Sequence, residues 1–121
     1  MEEDSPVHLA IVGYRNYNDY DSFSSIVDEY ILRTPVPACI ISGGCVGVDK
    51  MAERYAEEYS IPMDVLKPNR SLGNRGFAIR DREIAKKCTH MLAFPSVKGK
   101  GTQLTIGFAQ KLDKPVEIHW V

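Results

Sequence analysis

Short apolar runs alternate along this chain with stretches whose apolar residues recur at helical spacing. The runs are VHLAIVG (7–13), ACIIS (38–42), MDVLK (63–67), HMLAF (90–94) and VEIHWV (116–121). Each is rich in β-branched or large apolar residues and has the length of a buried strand. Between them, Phe23, Ile26, Val27, Tyr30 and Ile31 step by 3, 1, 3 and 1, and Val48, Ala52, Tyr55, Ala56 and Tyr59 by 4, 3, 1 and 3. Phe77, Ile84, Ala85 and Cys88 form a third stripe, and Leu104, Phe108 and Leu112 a fourth; such spacing places apolar side chains on one face of a helix. The order β-α-β-α-β-α-β-α-β implies an α/β fold, a parallel sheet with right-handed crossovers and helices on both faces. Pro35, Pro37, Pro62, Pro68, Pro95 and Pro115 fall between these segments, where proline ends an element. With no repeat, linker or low-complexity segment, residues 1–121 read as one domain, residues 1–6 being expected to be flexible.

In an open parallel sheet, ligands bind beyond the carboxyl ends of the strands, near the point where strand order reverses. The segments that follow the first four runs therefore carry the candidate chemistry. They read GYRNYND (13–19), GGCVGVD (43–49), PNRSLGNRGFAIRD (68–81) and PSVKGKGT (95–102). Glycines at such positions permit positive φ and let backbone N–H groups approach a ligand closely, and a following helix N-terminus adds partial positive charge. A phosphate suits that environment. A tight turn made for its own sake would use the same Gly43 and Gly44.

Composition narrows the classes. At 121 residues and 44% apolar content the chain can bury roughly two thirds of its unfolded surface without disulfide or metal. Cys39, Cys45 and Cys88 are odd in number and lack C-x-x-C spacing, and His8, His90 and His119 are scattered, so neither a disulfide framework nor a metal site is expected. No apolar stretch approaches the ~20 residues of a membrane span, and MEEDS at the start lacks the basic and apolar regions of a signal peptide. A cytoplasmic, soluble protein without membrane association is the expectation. Fifteen basic residues face sixteen acidic ones, a net charge of −1, so a broad electrostatic footprint for nucleic acid is missing and any anion site is local.

Two common nucleotide signatures fail. A P-loop requires Ser or Thr after its lysine, but Lys100 is followed by Gly101; a G-x-G-x-x-G turn would need glycine at Leu104. The segments VGYRNYNDY, ISGGCVGVDKMAERYA, GFAIRDREIA and GKGTQLTIGFA, in that order, instead resemble the SLOG superfamily, named for the DNA-processing protein DprA/Smf and the phosphoribohydrolase Lonely Guy, and within it the small single-domain YspA-like group. The resemblance runs from Val7 to Val121. Its most specific pieces are Gly43, Gly44, Gly47 and Asp49, the run Arg80 to Arg82, and the pair Gly101 and Thr102. It implies a Rossmann-like three-layer α/β/α domain, a five-stranded parallel sheet in the order 3-2-1-4-5, and strand-end loops that bind nucleotides or nucleotide-derived ligands. Among relatives, some hydrolyse an N-glycosidic bond of a nucleoside monophosphate, some sense nucleotide signals, and the DprA branch binds single-stranded DNA.

Departures qualify that implication. The phosphoribohydrolases resemble one another in a P-G-G-x-G-T-x-x-E signature whose glutamate takes part in catalysis. Here Lys98 stands for the first glycine of the pair and Thr105 for the glutamate. Asp81 also stands where relatives commonly carry Asn. The expected ligand is therefore a nucleoside monophosphate, ADP-ribose or NAD derivative, bound by a sensor or nucleotide-processing protein without a cofactor. N-glycosidic hydrolysis is the alternative, DNA is not expected as a partner, and the resemblance leaves room for a homodimer.

Candidate ligand-binding residues are Gly13, Arg15, Ser42, Gly43, Gly44, Gly47, Asp49, Arg80, Arg82, Lys98, Gly99, Lys100, Gly101 and Thr102. The arginines could pair bidentately with phosphate oxygens, although any single one reads equally as a solvated charge. Stepping ~100° per residue from Phe77 puts Asp81 inside the apolar face of its helix. A carboxylate there must accept N–H bonds, pair with an arginine, or hold its proton. Asp49 lies in a first helical turn, where the helix dipole favours it. Asp81 and Asp49 are the catalytic candidates if a reaction occurs, and Cys45 at a helix N-terminus is a candidate nucleophile without an adjacent base motif.

Overall fold

A computed structural model describes residues 5–121; the expected flexibility of residues 1–6 falls mainly on 1–4, outside the described residues. Five parallel strands form one sheet in the order β3-β2-β1-β4-β5: β1 His8–Gly13, β2 Cys39–Ser42, β3 Met63–Val65, β4 His90–Phe94 and β5 Val116–Ile118. Four helices connect them: α1 Tyr20–Arg33, α2 Val48–Glu58, α3 Asn74–Lys87 and α4 Gly101–Lys111. The expected α/β architecture, element order and strand order are all present. Register is set by β1, whose Leu9 to Gly13 pair with His90 to Phe94 on one side while His8 to Ala10 pair with Cys39 to Ile41 on the other.

β1 explains the two-sided core. Leu9 and Ile11 point to one face with Phe23 and Val27 of α1 and Val48, Ala52 and Tyr55 of α2. Ala10 and Val12 point to the other, with Ile84 and Ala85 of α3 and Ile106 and Ala109 of α4. A central parallel strand is covered on both faces and so reads as a continuous apolar run. α1 begins where the Asp19 carboxylate accepts hydrogen bonds from the Ser22 N–H (3.1 Å) and hydroxyl (2.8 Å), a side-chain cap that satisfies an otherwise unpaired donor. The α2 charges, expected as a solvated face, also clamp α1: Arg54 sits 3.7 Å from the Tyr20 ring centroid and the Tyr20 hydroxyl donates to Glu58 at 2.5 Å.

Three details differ from the sequence pattern. In α4 the buried residues are Thr105, Ile106 and Ala109, whereas Leu104 and Leu112 are exposed. Of the expected stripe only Phe108, partly buried, packs against the core, so Leu104 and Leu112 mark the wrong face. In α3 the face containing Ile84, Ala85 and Cys88 is buried, but Phe77 is 39% exposed; the stripe leaves the core at its N-terminal end. A 3₁₀ turn, Arg70–Leu72, precedes α3 and was not anticipated. The Asn69 side chain holds it, accepting from the Ser71 N–H at 3.1 Å and its hydroxyl at 2.7 Å. Beyond Ile118 the last segment still follows β4, with the His119 N–H donating to Ala93 O and Val121 N–H to Pro95 O, both at 2.8 Å. Among the described residues, no helix is long and apolar enough to cross a membrane.

Candidate functional site

Strand order reverses between β1 and β4, and the loops leaving their carboxyl ends diverge there. They open a cleft of about 420 Å³. Gly13, Tyr14, Arg15 and Asn16 form one wall after β1, Lys98 to Thr102 another at the start of α4, and Phe77, Arg80, Asp81 and Ile84 of α3 a third. Gly43, Cys45 and Asp49 reach it from the β2–α2 connection, and Thr105 lies in its lining.

The α4 end is built to leave donors open. Ser96 organises the turn: its hydroxyl accepts from the Lys98 N–H at 3.1 Å and its carbonyl from the Gly99 N–H at 3.2 Å. The Gln103 amide braces the same turn, donating to Gly99 O at 3.1 Å. No side chain caps α4, and its first backbone bond is Leu104 N–H to Lys100 O at 3.3 Å. The N–H groups of Gly101, Thr102 and Gln103 are thus without a partner among the described residues, at the positive end of the helix dipole. Arg15, Lys98 and Lys100 line the same cleft, and among the described residues none of the three is in an ion pair.

Of the double glycine, Gly43 lines the cleft and Gly44 shapes the turn. Gly44 (φ +72°) and Gly47 (φ +76°) occupy the left-handed region, which glycine adopts without a Cβ penalty. Gly44 faces Val65, 2.8 Å from where its Cβ would lie, and not the cleft. Gly43 admits Arg80: a Cβ there would stand 2.7 Å from Nη1, which donates to Gly43 O at 2.5 Å. Arg80 Nε donates to Asp81 Oδ1 at 2.7 Å, and Nη1 also reaches Leu66 O at 3.5 Å. Arg80 therefore ties the ends of β2 and β3 to α3 while lining the cleft.

Asp49 is buried and accepts the Cys45 N–H at 3.0 Å, closing the glycine loop onto its helix. Burial pushes its pKa up to about 6, against the pull of the Cys45 N–H and the Arg80 charge. Burial likewise raises the Asp81 carboxyl, opposed by Arg80 and the neighbouring Thr105 hydroxyl. Asp81 is partly buried, as its place on the helix implies, and of the three ways of accommodating a carboxylate there it takes the arginine partner.

Of the residues singled out from sequence, Gly13, Arg15, Gly43, Asp49, Arg80, Asp81, Lys98, Gly99, Lys100, Gly101 and Thr102 come together around the cleft. Ser42, Gly44, Gly47 and Arg82 do not line it. The Ser42 hydroxyl is buried and accepts from the Gly44 N–H at 3.2 Å; Gly47 packs on the Tyr14–Arg15 backbone; Arg82 points to Phe108, 5.1 Å from its ring centroid. Tyr14, Asn16 and Phe77 line the cleft without having been singled out. For Phe77 the signal existed, since it shares the helix face of Asp81.

A family model described as YspA, cpYpsA-related SLOG family matches residues 7–73. The chain belongs to this SLOG family. Solved structures of DNA processing protein A share the fold. The protein from Helicobacter pylori, whose single-stranded DNA binding mode has been described, superposes with a TM-score of 0.70 at 21% identity over 96% of this chain and 66% of its own. The Streptococcus pneumoniae protein gives 0.75 at 17% identity over 93% of this chain and 50% of its own. This SLOG chain thus spans a little under two thirds of the first and half of the second. No curated protein matches it.

Proposed function

We propose that the cleft binds a phosphate-bearing nucleotide or nucleotide derivative, with its phosphate at the N-terminus of α4. One observation carries this reading: the N–H groups of Gly101 to Gln103, unpaired among the described residues, lie beside Lys98 and Lys100, in a turn already braced by Ser96 and Gln103. Helix N-termini favour anions, and a turn held in place before binding loses little entropy on binding. Tyr14 and Phe77 supply aromatic surface for a base in the same cleft. The test is calorimetric titration with AMP, ADP-ribose and NAD in the presence of EDTA. At least one should bind, and Lys98→Glu with Lys100→Glu should abolish binding without lowering the melting temperature of the free protein. Unchanged affinity in the double variant would overturn the phosphate placement.

N-glycosidic hydrolysis is the second reading, supported by two carboxyls, Asp49 and Asp81, whose pKa values burial raises within the cleft. A group able to hold a proton near neutral pH is suited to acid–base work. On this reading, wild-type protein releases free base from a nucleoside monophosphate, and Asp81→Asn retains binding while losing release. Single-stranded DNA belongs in the same panel. A net charge of −1 describes the whole chain, whereas the cleft rim concentrates Arg15, Lys98 and Lys100, so overall charge does not exclude it.

A further inference from the structure

A second depression of about 240 Å³ lies on the other side of the Arg80 side chain, between the β3–α3 connection and α3. Its aliphatic lining is Leu66, Leu72 and Ile79, with Gly76 between them and Lys67, Asn69 and Glu83 as its polar residues beside Arg80. Leu72 is 44% and Ile79 47% exposed, two large aliphatic side chains in one groove. Arg80 lines both this groove and the cleft, so the two are neighbouring compartments that share one residue. The Arg80 guanidinium is fixed in orientation by Asp81 Oδ1 and Gly43 O. Lys67 is in no ion pair among the described residues.

Size decides what such a groove can hold. A self-sufficient small-molecule pocket runs from roughly 300 Å³ upwards; the cleft exceeds that and the groove falls short of it. The groove therefore suits a fragment tethered to something already anchored next door. Aliphatic walls beside an arginine suit a nucleobase, since bases pack on apolar and arginine surfaces. A cation at its rim suits the phosphate that would join the two halves.

Resting on the cleft reading above, we infer that the ligand has two nucleoside units joined through phosphate, one in the cleft and the other's base in the groove of Leu66, Leu72 and Ile79. The linkage can be a phosphodiester or a diphosphate, and the probes separate them. Titrations compare AMP, the dinucleotide pApA and NAD against wild type and Ile79→Asp, an exposed position at which the fold tolerates a charge. At least one two-nucleoside ligand should bind about tenfold or more tightly than AMP, the gain expected for one stacked base, and Ile79→Asp should remove that gain while leaving AMP affinity unchanged. A tighter pApA identifies the phosphodiester and a tighter NAD the diphosphate. AMP binding equal to that of both larger ligands would overturn the inference and leave the cleft reading standing, as would a loss in Ile79→Asp that is the same for AMP. Failure of all three ligands to bind would overturn both.

Discussion

At Asp49, burial and charge pull in opposite directions. Its pKa of about 6 against an ordinary value of 3.8 means that between those values the folded chain holds a proton that the unfolded chain releases. The associated stability is complete below about pH 4 and is lost as pH rises through about 6, an effect of up to about 3 kcal/mol for a shift of this size. Asp49→Asn should flatten that fall in urea melts taken across the interval; an unaltered profile would show that Asp49 is ionised throughout. Arg80 poses the complementary case. Its removal leaves Asp81 and Gly43 O without their donor, and Arg80→Gln should cost about 2–3 kcal/mol in the same melts. The partial burial of Asp81 was legible from helical stepping, because that is a local property of α3. The bond from Arg80 to Gly43 was not, since it joins residues 37 apart in sequence, so sequence left the glycines open between a ligand and a turn, and the side chains of Arg80 and Val65 that pack against them could not be read from it.

Elements show the same division between local and packed information. Strands and helices were readable because β1, β2 and β4 are buried on both faces and α1 and α2 carry large apolar residues at regular spacing. α4 misled because the face it buries is Thr105, Ile106 and Ala109, a single large apolar residue beside a threonine and an alanine, which carry little periodic signal. Glycines in helices give a direct test of that packing. Gly76 of α3 lies under the 3₁₀ turn, where a Cβ would stand 2.2 Å from Asn69 O, whereas a Cβ on Gly107 of α4 meets nothing within 4 Å. Alanine is favoured over glycine in a helix by about 1 kcal/mol, but a backbone carbonyl cannot rotate away as a side chain can. Gly76→Ala should therefore destabilise by about 1–3 kcal/mol while Gly107→Ala stabilises by about 0.5–1 kcal/mol. Thermal melts of the two variants should move in opposite directions, and a shift of the same sign in both would refute the close contact between the turn and α3.

At the scale of the molecule, charge balance and charge placement give different answers. Sixteen acidic residues against fifteen basic ones leave no long-range attraction for a polyanion, yet the cleft and groove present Arg15, Lys67, Lys98 and Lys100, which are in no ion pair among the described residues. Arg80 adds little, because its charge is already met by Asp81. For a single strand, each neutralised phosphate contributes about 0.7 to the slope of log K against log salt. Four available cations therefore set a ceiling of about 3 on the magnitude of that slope. An oligonucleotide titrated over a range of salt should give a slope no steeper than this, and Lys98→Ala should lower it by about 0.7 if Lys98 meets a phosphate. A short ligand confined to the cleft should show a still shallower dependence. A slope well beyond 3 would require contacts outside the cleft and groove, and would extend the nucleic-acid surface to cations such as Arg70 of the β3–α3 connection and Arg75 at the start of α3.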